Sequence, residues 1–140
     1  MQERSIELLN KAVADEMTAA HQYMYFSFHC EKQGYEPLSN LFRRTAVQEM
    51  RHVERCGRQI LLLGGEVEMT ASNSVQKIHD VKAMLEKARK METGSISDYT
   101  QWASECTANG DKDSRKLFKG LVKDEEVHFS QYGLELEKLN

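Results

Sequence analysis

Glu16, Glu49 and His52 recur 76 residues later as Glu92, Glu125 and His128, and in both sets 33 residues separate the lone glutamate from the Glu-x-x-His pair. On a helix, residues three apart lie about 60° apart around the axis and about 4.5 Å along it. Each Glu-x-x-His therefore presents a carboxylate and an imidazole to one point. Four carboxylates and two imidazoles, drawn equally from two halves, make the ligand set of a two-metal centre. An oxygen-rich shell without thiolate suits an octahedral, redox-active ion better than tetrahedral structural zinc, and iron leads over manganese. A single Glu-x-x-His in a helix rich in glutamate is usually a solvated charge pair. Two such pairs, each with a glutamate 33 residues upstream, form a pattern that solvation does not require.

The ligands belong to a wider internal repeat. Without gaps, residues 5–64 match residues 81–140 at thirteen positions, among them Lys11/Lys87, Tyr23/Tyr99, Cys30/Cys106, Gly34/Gly110, Phe42/Phe118 and Gly57/Gly133. Ordinary composition would give about three or four. The pattern predicts four helices as the positioning elements. The first spans 4–33, with Ile6, Leu9, Val13, Met17, Ala20 and Tyr23 at helical spacing and Gly34 as its stop. The second starts near Pro37 and runs through Leu41, Phe42, Val47, Val53 and Ile60 to Gly64-Gly65. Asp80 is placed to cap a third, ending at Gly110 and containing Gly94, and Asp113 a fourth, running to the terminus. Residues 65–80, extended at about 3.3 Å each, reach roughly 50 Å, enough to cross the length of a helix.

One domain of 140 residues is expected: a first hairpin over about 4–64, a crossover over 65–80 and a second hairpin over about 81–140. Two hairpins joined by one long crossover resemble the ferritin-like form of the four-helix bundle, an all-α fold. A two-fold axis relating the hairpins would set the first helix against the third and the second against the fourth, with the ligands meeting near the axis.

Composition narrows the function classes. The chain is 40% hydrophobic and 29% charged with a formal net charge of −3, and no Lys/Arg run exceeds Arg43-Arg44. This argues against a nucleic-acid footprint and for cations as guests. The longest aliphatic run, Ile60–Leu63, is too short for a membrane span. The N-terminus lacks a secretory pattern, so a cytoplasmic address is expected. Three cysteines with no Cys-x-x-Cys pair fit reduced thiols and exclude a rubredoxin-like or zinc-ribbon module. Cys30 and Cys106, at opposite ends of the proposed bundle, should remain unpaired.

The segments Asp15-Glu16-Met17-Thr18-Ala19-Ala20-His21-Gln22-Tyr23, Glu49-Met50-Arg51-His52 and Asp124-Glu125-Glu126-Val127-His128 resemble those of bacterioferritins, and the resemblance covers all four helices. It implies a di-iron centre in which Glu49 and Glu125 bridge, Glu16 with His52 holds one iron and Glu92 with His128 the other. The implied activity is ferroxidation, with O2 or H2O2 oxidising Fe(II), and storage of Fe(III). Tyr23, seven residues after Glu16, is on the ligand face, and the resemblance gives it a role in hydrogen-bonding a ligand or lending an electron. Tyr99 reads as packing with a buried hydroxyl.

Met50, whose repeat partner is Glu126, points about 100° from its neighbour Glu49, toward the outside of the bundle. Spacing alone reads it as packing or interface. The resemblance makes it an axial ligand of a haem iron, b-type or another iron porphyrin, shared between two subunits and carrying electrons to the store. A ferredoxin-type donor would be the partner in that transfer. Cys56 has no required redox role, and His21, His29 and His79 read as surface or supporting residues. Bacterioferritins usually carry a short fifth helix lining the channels of a 24-subunit cage. The expectation here is a short form lacking it, and a homo-oligomeric shell of twelve subunits rather than 24. Two competing functions are a rubrerythrin-like di-iron peroxidase and a metal-free helical interaction module. Against the first stand the missing Cys-x-x-Cys domain and Ser95 in place of an additional glutamate.

Overall fold

The chain reverses where its glycines permit. Gly34 and Gly110, partners in the repeat, have φ of 88° and 72°, and each closes a helix with the same pair of bonds. Tyr35 N donates to Cys30 O at 2.8 Å and Gly34 N to Glu31 O at 3.1 Å; Asp111 N donates to Cys106 O at 2.9 Å and Gly110 N to Thr107 O at 3.1 Å. This is the left-handed C-terminal cap that a Cβ would strain.

A computed structural model describes residues 2–140. It contains α1 (Glu3–Lys32), α2 (Glu36–Leu62), α3 (Val81–Ala108) and α4 (Lys112–Leu139), with no strand among the described residues. Helices α1 and α2 form one hairpin and α3 and α4 the other, with α1 against α3 and α2 against α4, as the two-fold arrangement predicts. Gly94 lies within α3 without interrupting it. No helix among the described residues is long and apolar enough to cross a membrane.

Asp80 caps α3, its side chain accepting from Ala83 N at 2.9 Å. The cap of α4 differs from the expectation. Asp111, not Asp113, is the N-cap and accepts from Ser114 N at 3.1 Å. The turn after Gly110 is so tight that α4 begins two residues early, leaving Asp113 in the first turn, where its charge still favours the helix N-terminus.

The crossover lies along α1 as a strap. Asn10 bonds Glu66 O at 2.9 Å and Glu68 N at 2.8 Å; Thr18 Oγ1 accepts from Ser72 N at 2.9 Å; Gln22 pairs with Gln76 N and O at 2.8 and 3.0 Å. Having no helix or sheet of its own, the strap satisfies its backbone on these polar side chains. Partner numbers rise together, so it runs parallel to α1 and delivers the chain to the start of α3.

Two apolar clusters fill the bundle on either side of its middle. One contains Leu8, Leu9, Val53, Ile60, Tyr99, Trp102, Phe118 and Leu121, the other Tyr23, Phe26, Phe42, Met84, Leu85 and Tyr132. Each fully buried large side chain contributes about 1.5–3 kcal/mol. Together they offset what lies between them, a layer of buried charge.

Candidate metal centre

All six repeated side chains meet in that middle layer. Glu16, Glu49 and Glu125 are fully buried, and Glu92, His52 and His128 are exposed by no more than 2%. They form two overlapping groups, Glu16–Glu49–His52–Glu125 and Glu49–Glu92–Glu125–His128, each offering ligand atoms within 4.8 Å of one another. Glu49 and Glu125 belong to both. Each group draws on three helices and on both hairpins.

The distances follow the internal two-fold. His52 Nδ1 faces Glu16 Oε2 and lies 3.2 Å from both Glu49 Oε1 and Glu125 Oε1. His128 Nδ1 lies 3.5 Å from Glu92 Oε2, 3.7 Å from Glu49 Oε1 and 3.6 Å from Glu125 Oε1. The ring centroids are 6.4 Å apart. Both imidazoles turn Nδ1 inward because an acceptor holds Nε2 on the other side. Asp124 Oδ2 is 2.9 Å from His52 Nε2, and Gln48 Oε1 faces His128 Nε2. A proton held at Nε2 leaves the Nδ1 lone pair free to ligate.

Charge balance shows what the site could hold. Both oxygens of Glu49 and of Glu125, together with Glu16 Oε1, Glu92 Oε2 and His128 Nδ1, are buried without a hydrogen-bond partner. Unpaired buried carboxylates are costly. Burial first, then the charge of neighbouring carboxylates, pushes Glu49 and Glu125 well above the ordinary range. Burial also raises Glu16, against the pull of His52. For His52, burial favours the neutral ring, but the adjacent carboxylates of Glu125 and Glu16 win and push it up to about 10. Without cations the centre therefore favours bound protons, which ions binding there would displace. The donor set and the orphaned atoms fit two divalent cations sharing Glu49 and Glu125.

Tyr23 donates to Glu92 Oε1 at 2.6 Å. Tyr99 is fully buried against Trp102 and Phe118, with centroids 5.6 and 5.8 Å away. Met50 is 39% exposed on the outer side of α2, away from the six. Cys30, Cys56 and Cys106 are free and buried. Burial pushes the Cys30 thiol up to about 11, so it is inert at neutral pH. His29 and His79 stack at 4.2 Å on the surface, where Tyr25 Oη meets His79 Nε2 at 2.8 Å and fastens the end of the strap.

Three contributors escaped the sequence reading. Gln48 and Asp124 each precede the Glu of a Glu-x-x-His and hold the opposite histidine. Tyr132, seven residues after Glu125, is fully buried with its ring 5.5 Å from Tyr23. The step of seven that singled out Tyr23 and Tyr99 would have found it. Between α2 and α4 a surface cavity of about 310 Å³, lined by Gln48, Arg51, His52, Arg55, Asp124, Val127 and His128, opens onto the outer edges of both imidazoles.

Fold and site together define a ferritin-like bundle protein with a two-metal centre. A family model described as a ferritin-like domain matches residues 6–140. The chain belongs to the ferritin family and, within it, to the bacterioferritins. It is 32% identical to the bacterioferritin of Desulfovibrio desulfuricans over 127 residues, covering 91% of this chain and 71% of the relative. A rubrerythrin from Clostridium perfringens is 30% identical over 132 residues, covering 92% and 68%. Among solved structures, a Desulfovibrio desulfuricans bacterioferritin, described with its diiron site in different catalytic states, superposes with a TM-score of 0.94 at 30% identity, covering 96% of this chain and 79% of the other. A Rhodobacter capsulatus bacterioferritin, described with a metal-free dinuclear site and heme iron in a crystallographic special position, gives 0.93 at 25% identity, covering 98% and 86%. The activity is that of an iron-storage ferroxidase.

Proposed function

We propose that Glu16 and His52 hold one iron, Glu92 and His128 a second, and that Glu49 and Glu125 bridge them. The observation that carries this reading is the set of buried ligand atoms left without partners at the centre of the bundle. Two Fe(II) held by these residues would supply, on going to two Fe(III), the two electrons that O2 or H2O2 accepts. The chain's own residues do the rest. Asp124 and Gln48 fix the imidazole rings, Tyr23 steadies Glu92, and the flanking aromatic clusters keep bulk water out. The cavity at Gln48, Arg51 and Asp124 is the approach for ions.

Met50 is proposed as a haem ligand, with the porphyrin shared between two subunits. Its position on the outer side of α2 supports this, as does the exposure there of Val47, Leu61 and Leu62, an apolar strip suited to a second copy. The heme iron of the Rhodobacter capsulatus relative is consistent with that placement. A ferredoxin-type donor, a shell of twelve subunits, a cytoplasmic location and a role against oxidative stress complete the proposal.

Aerobic addition of Fe(II) to purified protein tests it, with oxidation rate, retained iron, native mass and reduced visible spectrum as readouts. Oxidation with retained iron that is lost in Glu49→Ala supports the reading. Peroxide turnover without retained iron would instead favour the peroxidase that the rubrerythrin relative brings to mind. A haem band lost in Met50→Leu at unchanged iron oxidation identifies the axial ligand, and an iron-retaining shell without such a band rejects that part alone.

A further inference from the structure

The internal two-fold holds for the six ligands and fails immediately behind them. His52 Nε2 meets a carboxylate, Asp124 Oδ2 at 2.9 Å, whereas His128 Nε2 meets a neutral amide, Gln48 Oε1. The two partners are themselves repeat-equivalent, 76 residues apart, so the sequence has placed unlike groups at like positions. The difference extends one step outward. Asp124 Oδ2 also lies 3.5 Å from Arg55 Nη1, and the repeat counterpart of Arg55 is Gln131. Room for the arginine comes from Gly120, where a Cβ would stand 2.9 Å from Arg55 Nη2. The counterpart of that glycine is Arg44. One histidine is thus backed by a salt-bridged carboxylate and the other by an uncharged side chain.

A carboxylate accepting the Nε2 proton makes Nδ1 a stronger donor and holds the ring more firmly than an amide does. Outer partners of this kind change metal affinity by about 10–100-fold. Resting on the two-iron reading above, we infer that the two metal positions are inequivalent: the Glu16–His52 position fills first and binds tighter, and the Glu92–His128 position is the exchangeable one. Asp124 and Gln48 are positioning residues that set this order. Because they line the cavity leading inward, the distinction sits where ions arrive.

The test uses Co(II) added anaerobically to the full-length, metal-free protein. Uptake is followed by visible absorption, and site occupancy by anomalous scattering from crystals given one equivalent per chain. Repulsion between two bound cations separates the binding steps even at identical sites, so which position fills is the informative quantity. The expected result is at least about ten-fold preference for the Glu16–His52 position. Asp124→Asn should weaken filling there by about ten-fold and even out the occupancies, and Gln48→Glu should strengthen the other position. Equal filling in the wild type, preferential filling beside Glu92, or a pattern untouched by Asp124→Asn would overturn the inference. Uptake no greater than that of Glu49→Ala would overturn the two-metal reading itself, and the inference with it.

Discussion

The Tyr23 hydroxyl donates to Glu92 Oε1 at 2.6 Å, although the two residues are 69 positions apart and belong to different hairpins. Burial, and then the charge of Glu92, pushes the phenol well above its ordinary pKa, so it stays a donor at any working pH. The bond ties α1 to α3 at the edge of the metal layer. It holds one oxygen of Glu92, while Oε2 faces His128 Nδ1 at 3.5 Å.

Tyr23→Phe keeps the ring and its packing on Phe42 and Tyr132 and removes that bond together with the longer one from the same hydroxyl to Ala88 O at 3.5 Å. Hydrogen bonds to a charged group contribute about 1.5–3 kcal/mol. Urea denaturation of the metal-free variant should show a loss of that size, and stopped-flow absorbance should show slower Fe(II) oxidation. Unchanged stability would mean that Glu92 is held by something else.

Glu49→Gln should separate stability from function. Both oxygens of Glu49 are buried without a hydrogen-bond partner, near the carboxylates of Glu16 and Glu92 as well as His52 Nδ1. Removing the charge should stabilise the metal-free protein by about 0.5–2 kcal/mol while abolishing two-metal uptake, since Glu49 belongs to both ligand groups. Calorimetry with and without Co(II) measures both. Wild-type metal content in this variant would rule out a bridging role.

The pH dependence of the metal-free fold has a definite sign. Glu16, Glu49 and Glu125 are raised from 4.5, and His52 from 6.5 to about 10. A group with a raised folded pKa contributes its full stability below the unfolded value and loses it as pH rises through the folded one. All four therefore act together, and melting temperature should fall steadily from about pH 5 to about pH 10. For Asp111, burial raises the carboxyl, but hydrogen bonds accepted from Ser114 and Ser5 together prevail and lower it from 3.8; its contribution disappears in acid, on the other side of the optimum. Bound metal replaces the protons, so the Co(II)-loaded protein should show a flatter alkaline profile. A metal-free protein that gains stability between neutral and alkaline pH would contradict these assignments.

The start of α4 offers a purely structural check. Asp111→Ala removes the side chain that accepts from Ser114 N and should cost about 1 kcal/mol. Asp113→Ala, losing only a favourable charge in the first turn, should cost about 0.3–1 kcal/mol. A larger loss in Asp113→Ala than in Asp111→Ala would return the capping role to Asp113.

The amino-acid sequence carried the bundle because repetition doubled every local signal. Gly34 and Gly110, Tyr23 and Tyr99, and the two Glu-x-x-His pairs each corroborate the other. The α4 cap lacks that help, since Asp111 aligns with Tyr35. Asp124 and Gln48 were hidden for a related reason. Each acts on a histidine of the other hairpin, and which acceptor meets which ring is decided by helix packing, not by any spacing along the chain. Tyr132 was legible in principle, seven residues after Glu125, but its counterpart is Cys56, so comparing the halves concealed it.

Neither hairpin owns a complete ligand group, because each group takes side chains from both. A free-standing copy of either half would bring two carboxylates and one imidazole, and would remain empty until it met its complement. The strap along α1 makes that meeting independent of dilution: tethering supplies an effective concentration on the order of millimolar. Under the two-metal proposal, only a chain whose two halves have already found each other could load metal.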